Sequence, residues 1–120
     1  MKNEGASMHI SELSSRFGFE SLQDAYEDGA LLDGYTSDLL SDVMAKAAQD
    51  SVLITIQAHK NTVAVASLVG IRAIVLCNAR PILDDMAEAA KSEGIALFRT
   101  DRNQFQVSGL LYPAIHGQSG

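Results

Sequence analysis

Three short apolar runs, Ser51-Val52-Leu53-Ile54-Thr55-Ile56, Arg72-Ala73-Ile74-Val75-Leu76-Cys77 and Ile95-Ala96-Leu97-Phe98, are separated by segments of helical character. This alternation constrains the fold more than any other feature of the chain. Short runs rich in Val and Ile read as strands, and a run that is apolar at nearly every position reads as a strand buried on both faces. Strands that alternate with helices form a parallel sheet joined by right-handed crossovers.

The flanking segments complete the pattern. Ser7 is placed to cap a helix carrying Ile10, Leu13 and Phe17, with Gly18 as its stop. Residues 19–30 give no clear signal. Ala30-Leu31-Leu32 reads as a short strand ending at Gly34-Tyr35. Thr36 or Ser37 then caps a helix in which Leu39, Leu40, Val43, Met44 and Ala47 recur at helical spacing, ended by Gln49-Asp50. The stretch from Asn61 to Gly70 alternates Val and Ala as a strand would, yet Asn61 suits an N-cap and Gly70 a C-cap, and a helix here completes the alternation. Pro81 opens a helix through Met86, Ala87, Ala89 and Ala90 that stops at Gly94. Asp101 caps a last helix through Phe105, Val107, Leu110 and Leu111, ended before Pro113. The expected fold is therefore α/β: a three-layer domain with a mostly parallel sheet of four to five strands and helices on both faces. It occupies residues 8–112, between tails at 1–7 and 113–120.

Bulk properties exclude several function classes. The 120 residues carry a net charge of −6, with nine basic residues scattered along the chain rather than clustered. Binding to a phosphodiester backbone needs clustered Lys and Arg, so no nucleic-acid partner is expected. The segment ISELSSRFGF is superficially like the first helix of a winged-helix DNA reader, but no basic recognition helix follows. No apolar run approaches the length of a membrane span, and the first ten residues lack the apolar core of a signal peptide. A single cysteine, Cys77, fits a reducing compartment. The expected location is cytoplasmic.

The stretch ITIQAHKNTVAV raises the functional question, because it interrupts two apolar blocks with Gln57, His59, Lys60 and Asn61. These lie at the carboxyl end of a strand, where ligands of open α/β sheets bind. Thr55, Gln57, His59 and Asn61 share parity and would project together from an extended chain. Neighbouring strand ends contribute Ser37 and Asp38, then Asn78 and Arg80, then Thr100 and Asp101. The ligand-binding candidates are Asp38, Gln57, His59, Asn61, Asn78, Arg80 and Thr100. Amides, hydroxyls, one Arg and one His suit a polar small molecule bearing a phosphate. The same residues also serve ordinary purposes: polar side chains belong in loops, and Thr, Asn and Asp cap helices.

Catalytic templates are missing. The chain has no GxxxxGK[ST] or GxGxxG turn and no paired Cys/His spacing for a metal, and His9, His59 and His116 are isolated in sequence. Cys77 ends an apolar strand and reads as a small core residue. Asp84-Asp85 suits the first turn of a helix, where negative charge is favoured.

The order of motifs GYTSDLLSDVMAKAAQDSVLITIQAHKNTVAVASLVGIRAIVLCNARP, EGIALFRTDRNQF and GLLY resembles the DRTGG domain family over about residues 8–112, and most of all its stand-alone, single-domain branch. The resemblance implies a compact α/β domain. It is similar to the N-terminal region of HPr kinase/phosphorylase, to a segment of long phosphate acetyltransferases, and to domains beside CBS modules in pyrophosphatases. In those proteins chemistry resides elsewhere and this module regulates or assembles. Stand-alone members are often encoded near iron-only hydrogenases, which implies a redox partner protein. The family's Gly-rich turn after the third strand is replaced here by Cys77-Asn78-Ala79-Arg80-Pro81, a loss expected to restrict positive φ and close backbone approach.

These readings lead to a non-catalytic regulatory or sensor domain without cofactor or metal. It is expected to be a homodimer binding an adenine nucleotide or other small phosphorylated metabolite at the carboxyl ends of the strands. The alternative is a ligand-free assembly module docking on an iron-only hydrogenase-type redox enzyme or a metabolic enzyme. An enzyme using His59 ranks third, because no second catalytic group accompanies it.

Overall fold

The computed structural model describes residues 8–117. In chain order these form β1 (Met8–His9), α1 (Glu12–Ser15), β2 (Glu20–Gln23), β3 (Ala30–Leu31), β4 (Asp33–Thr36), α2 (Leu40–Lys46), β5 (Ser51–Thr55), α3 (Lys60–Val69), β6 (Ala73–Leu76), α4 (Asp84–Glu93), β7 (Ala96–Arg99) and α5 (Gln104–His116). The three strongest apolar runs became β5, β6 and β7, and the ambiguous 61–70 segment is helix. Gly70 ends that helix with φ of 85°, a left-handed conformation open to glycine at little cost.

A five-stranded sheet has the order β2-β7-β6-β5-β4. β4, β5, β6 and β7 are mutually parallel, and β2 runs antiparallel on the β7 edge. β1 and β3 form a separate two-stranded pair. Each parallel strand lies beside the next in sequence. Right-handed crossovers stepping in one direction place their helices on one face. Accordingly Val43 of α2, Val63 and Ala66 of α3, and Met86 and Ala90 of α4 share a core with Leu53, Ile74, Leu76 and Leu97. The alternate residues of the same strands, Val52, Ile54, Val75 and Phe98, face the other way. There they meet Val107, Leu111, Ala114 and Ile115 of α5 together with Met8, Ile10, Leu13 and Leu31. The three-layer α/β expectation is met.

Several local expectations are corrected. Ser7 lies outside the described residues, and the helix expected from it is a single turn, α1, preceded by β1. Ile10 N donates to Gly29 O at 2.9 Å, and Ser11 donates to Asp28 through both backbone and hydroxyl, so this segment is held by pairing with residues 28–31. The strand placed at 30–32 is two strands. The chain leaves β3 at the exposed Leu32 and enters the main sheet as β4. α2 takes neither Thr36 nor Ser37 as its N-cap. Thr36 ends β4 and Leu39 occupies the cap position, with its N–H donating to Ser37 Oγ at 3.1 Å. α2 ends at Lys46, and only Val43 of its expected apolar face is fully buried. α3 is preceded by His59 rather than Asn61, and α4 begins at Asp84, three residues after Pro81.

The last helix is capped by Asn103, not Asp101. Asn103 Oδ1 accepts from Gln106 N, and Gln106 Oε1 accepts from Asn103 N, each at 2.9 Å. α5 also continues through Pro113 to His116. Pro113 removes one helical hydrogen bond, but Ala114 and Ile115 are buried beyond it and keep the final turn on the sheet.

Candidate functional site

The carboxyl ends of the parallel strands are organised by Asp38. Its Oδ1 accepts hydrogen bonds from Thr55 Oγ1 at 2.9 Å, Ile56 N at 2.9 Å and Gln104 Nε2 at 3.0 Å. Three elements meet on one oxygen: the turn after β4, the end of β5 and the start of α5. The Thr55 hydroxyl also accepts from Gln57 N at 3.1 Å. The Gln57 side chain turns back, donating through Nε2 to Asp38 O at 2.8 Å, while Gln57 O accepts from Thr62 Oγ1 at 2.8 Å. This pins residues 55–62 at both ends. The amide nitrogen of Gln57 is spent on structure, leaving its carbonyl oxygen as an acceptor.

The next strand end makes a tight turn. Arg80 N donates to Cys77 O at 3.3 Å, and the two central residues, Asn78 and Ala79, have φ of 60° and 52°. This is the pattern of a type I′ turn. The expected restriction of positive φ is therefore corrected: the backbone takes the left-handed conformation without either glycine. Asn78 tolerates it, and Ala79 carries the strain of a Cβ there. The turn is held because Asn78 N donates to Arg102 O at 2.9 Å and Ala79 N to Thr100 O at 2.8 Å.

The turn presents Arg80 to the β5 end, where its Nε donates to Ile56 O at 3.3 Å. Among the described residues, the terminal nitrogens of Arg80 have no hydrogen bond or carboxylate partner. Arg99, by contrast, is neutralised by Glu20 through paired bonds of 3.0 and 3.2 Å, and it also donates to Arg80 O. An open groove of about 320 Å³ results, lined by Ile56, Gln57, Ala58, His59, Arg80 and Pro81-Ile82-Leu83. It lies between two helix N-termini without side-chain caps, at His59 before α3 and Leu83 before α4. The two ends differ electrically. The first turn of α3 has no acidic residue, whereas that of α4 carries Asp84 and Asp85. Negative charge is favoured near His59 and Arg80, and an apolar body suits the Ile82 and Leu83 wall.

Of the candidate residues, Gln57, His59 and Arg80 come together in this groove. Asp38 lies behind it and positions Gln57. Asn61 is inside α3 and faces a different depression, shared with Ala89 and Glu93 of α4. Thr100 lies beside Gly18 and Glu20 on another side of the turn, its Oγ1 accepting from Arg102 N at 3.2 Å, and Asn78 is a turn former. The shared parity of residues 55–61 does not extend through the insert, because β5 ends at Thr55 and the helix starts at Lys60. Sequence reasoning missed Gln104, sixty-six positions from Asp38, and the apolar wall Ile82-Leu83. The apolar pair Ile82-Leu83 directly after Pro81, ahead of the acidic Asp84-Asp85, was the available signal for that wall.

Cys77 is fully buried, and desolvation, followed by the nearby Asp38 carboxylate, pushes its thiol up to about 11. It is a poor nucleophile. No group of three His, Cys, Asp or Glu side chains is placed to hold a metal among the described residues, and no described helix is long and apolar enough to cross a membrane.

No family model matches the chain. No curated protein matches it either. Among solved structures it is similar to the CBS and DRTGG domains of the regulatory region of Clostridium perfringens pyrophosphatase, complexed with its activator diadenosine tetraphosphate. The TM-score is 0.70 at 12% identity, over 95% of this chain and 48% of that one, so the chain spans about half the length of its structural neighbour. At this identity the likeness is one of fold alone, and it supports a DRTGG-like domain fold.

Proposed function

We propose that this domain is a non-catalytic regulatory module that binds an adenine nucleotide, or another small phosphorylated metabolite, in the groove between the β5 and β6 ends. The observation that carries the reading is the guanidinium of Arg80, unpaired among the described residues and set beside His59 and the carbonyl of Gln57 against an apolar wall. A phosphate would pair with Arg80 and lie near the start of α3. A base would stack on Ile82 and Leu83, with its amino group donating to Gln57 Oε1. The pyrophosphatase regulatory region of similar fold was crystallised with an adenine dinucleotide activator, which supports this choice of ligand class. The inert Cys77 thiol and the lone His59 favour binding over chemistry.

The test is calorimetric titration with AMP, ADP, ATP and diadenosine tetraphosphate, alongside thermal shift. A ligand at ~100 times its dissociation constant adds about 2.7 kcal/mol to stability. Arg80→Ala and Gln57→Ala weaken binding at least about tenfold, while Asn61→Ala, outside the groove, leaves it unchanged. A panel in which none of the four nucleotides shifts the wild-type melting temperature overturns the adenine-nucleotide reading.

A further inference from the structure

Gln57 meets the groove with an amide that the fold has already oriented. A free side-chain amide rotates to present either its oxygen or its NH2 group to a partner. Here the residue is tied at three points first. Its N–H donates to Thr55 Oγ1 at 3.1 Å, its carbonyl accepts from Thr62 Oγ1 at 2.8 Å, and its Nε2 donates to Asp38 O at 2.8 Å. Thr55 and Thr62 are fully buried, and Asp38 is itself fixed by three donors on Oδ1. Rotating the amide would set Gln57 Oε1 against Asp38 O, oxygen to oxygen, and leave that part-buried carbonyl without its donor.

Two polar positions of the amide remain free among the described residues: the oxygen as an acceptor, and the second hydrogen of Nε2 as a donor. An acceptor and a donor side by side, in a fixed order, are the pair through which Gln reads adenine. The oxygen takes the exocyclic amino group and the nitrogen gives a hydrogen to the adjacent ring nitrogen. We infer that Gln57 is the specificity-determining residue of the groove, selecting an amino-substituted purine over an oxo-substituted one. This selectivity rests on the groove being the nucleotide site proposed for it. An oxo purine offers an acceptor where adenine offers a donor. Its oxygen would face Gln57 Oε1, and the locked amide cannot turn to accommodate it.

The other groups in the groove do not make this choice. The Arg80 guanidinium pairs with any phosphate, and Ile82 and Leu83 offer apolar contact to any ring. The neutral His59 ring has one donor and one acceptor nitrogen and so suits either base. A site that hydrogen-bonds its ligand out of reach of water rejects an analogue lacking the group by roughly ten-thousandfold. This groove is open, and water bridges a mismatch there, so the discrimination is about tenfold.

Calorimetric titration of the full chain with three nucleoside monophosphates of identical ribose and phosphate tests this. They are AMP, purine riboside monophosphate, which has hydrogen in place of the amino group, and inosine monophosphate, which has oxygen there. AMP binds about tenfold more tightly than purine riboside monophosphate, and inosine monophosphate binds no better than the latter. Gln57→Leu removes both amide positions at similar volume and brings all three to within about twofold of one another. Circular dichroism and thermal melting show that the variant is folded. A wild-type affinity for either analogue equal to or above that for AMP overturns the inference and leaves the nucleotide site standing, and that comparison needs no variant. A preference for AMP that persists in Gln57→Leu also overturns it. Binding of none of the three overturns the adenine-nucleotide site itself, and the inference with it.

Discussion

The Thr55 hydroxyl donates to Asp38 Oδ1 at 2.9 Å and accepts from Gln57 N at 3.1 Å, so a single buried side chain couples the β4 turn to the polar insert after β5. The same carboxylate oxygen takes Ile56 N and Gln104 Nε2. This arrangement turns the end of a parallel strand into a rigid platform. It also explains why a chain with such apolar strands places Asp, Thr and Gln here.

Asp38→Ala removes the acceptor of three donors at once and leaves the Thr55 hydroxyl and Ile56 N–H unpaired near the core. The expected loss is about 2–3 kcal/mol, read as a lower urea midpoint with unchanged slope. Asp38→Asn, which keeps an acceptor oxygen, loses less. If Asp38→Ala unfolds at the wild-type midpoint, the platform contributes nothing to stability.

Ala79 predicts the opposite sign. It holds φ of 52°, where a Cβ is crowded, and its N–H is tied to Thr100 O. Ala79→Gly relieves the strain but frees the unfolded chain, so the net gain is about 0.5–1 kcal/mol. A raised melting temperature with an unchanged nucleotide titration is the expected outcome. A lowered one would mean that the neighbouring hydrogen bonds hold the turn without strain.

Much of this fold was legible from residue pattern, and its gaps have physical causes. β5, β6 and β7 are buried on both faces and so read as continuous apolar runs. β2, with the sequence Glu-Ser-Leu-Gln, is a half-exposed edge strand held by pairing to β7 and by Gln23 Nε2 donating to Ile95 O, and it carries no apolar signal. The α5 terminus was misjudged because Pro113 penalises a helix locally, while Ile115 repays that cost through tertiary burial. At the candidate site, Gln57, His59 and Arg80 were legible as polar residues at strand ends. Gln104 was not, because α5 crosses the sheet and brings it back to Asp38, and sequence spacing carries no trace of that crossing.

The link between α5 and the β4 edge is pH-dependent. His116 Nε2 lies 2.9 Å from Asp33 Oδ1, and this hydrogen bond, aided by Gly34 N, holds the Asp33 carboxyl below its ordinary value. A carboxyl depressed in the folded state binds fewer protons there than in the unfolded chain, so its stabilisation is present above the unfolded value of ~3.9 and lost as pH falls through the folded one. Both side chains are partly exposed, so the contribution stays under about 1 kcal/mol. Wild type should exceed Asp33→Asn in stability at neutral pH and converge with it in acid. A difference that persists unchanged in acid, once the carboxyl is protonated in both the folded and the unfolded chain, removes the carboxylate as its cause.

Cys77 supplies an independent probe of the platform. Its thiol is fully buried at the end of β6, its N–H donates to Thr55 O at 3.0 Å, and burial pushes its pKa up to about 11. At pH 7 only about one thiol in ten thousand would be ionised, and that one is shielded from reagent. Alkylation then proceeds through opening of the sheet, and where reclosing outpaces reaction its rate follows the opening free energy. The wild-type chain should resist iodoacetamide under native conditions and react promptly in urea. Asp38→Ala should accelerate native-state alkylation by lowering the free energy of that opening. Fast alkylation of the wild-type chain in the absence of denaturant would contradict the burial of Cys77 and the rigidity argued for the strand ends.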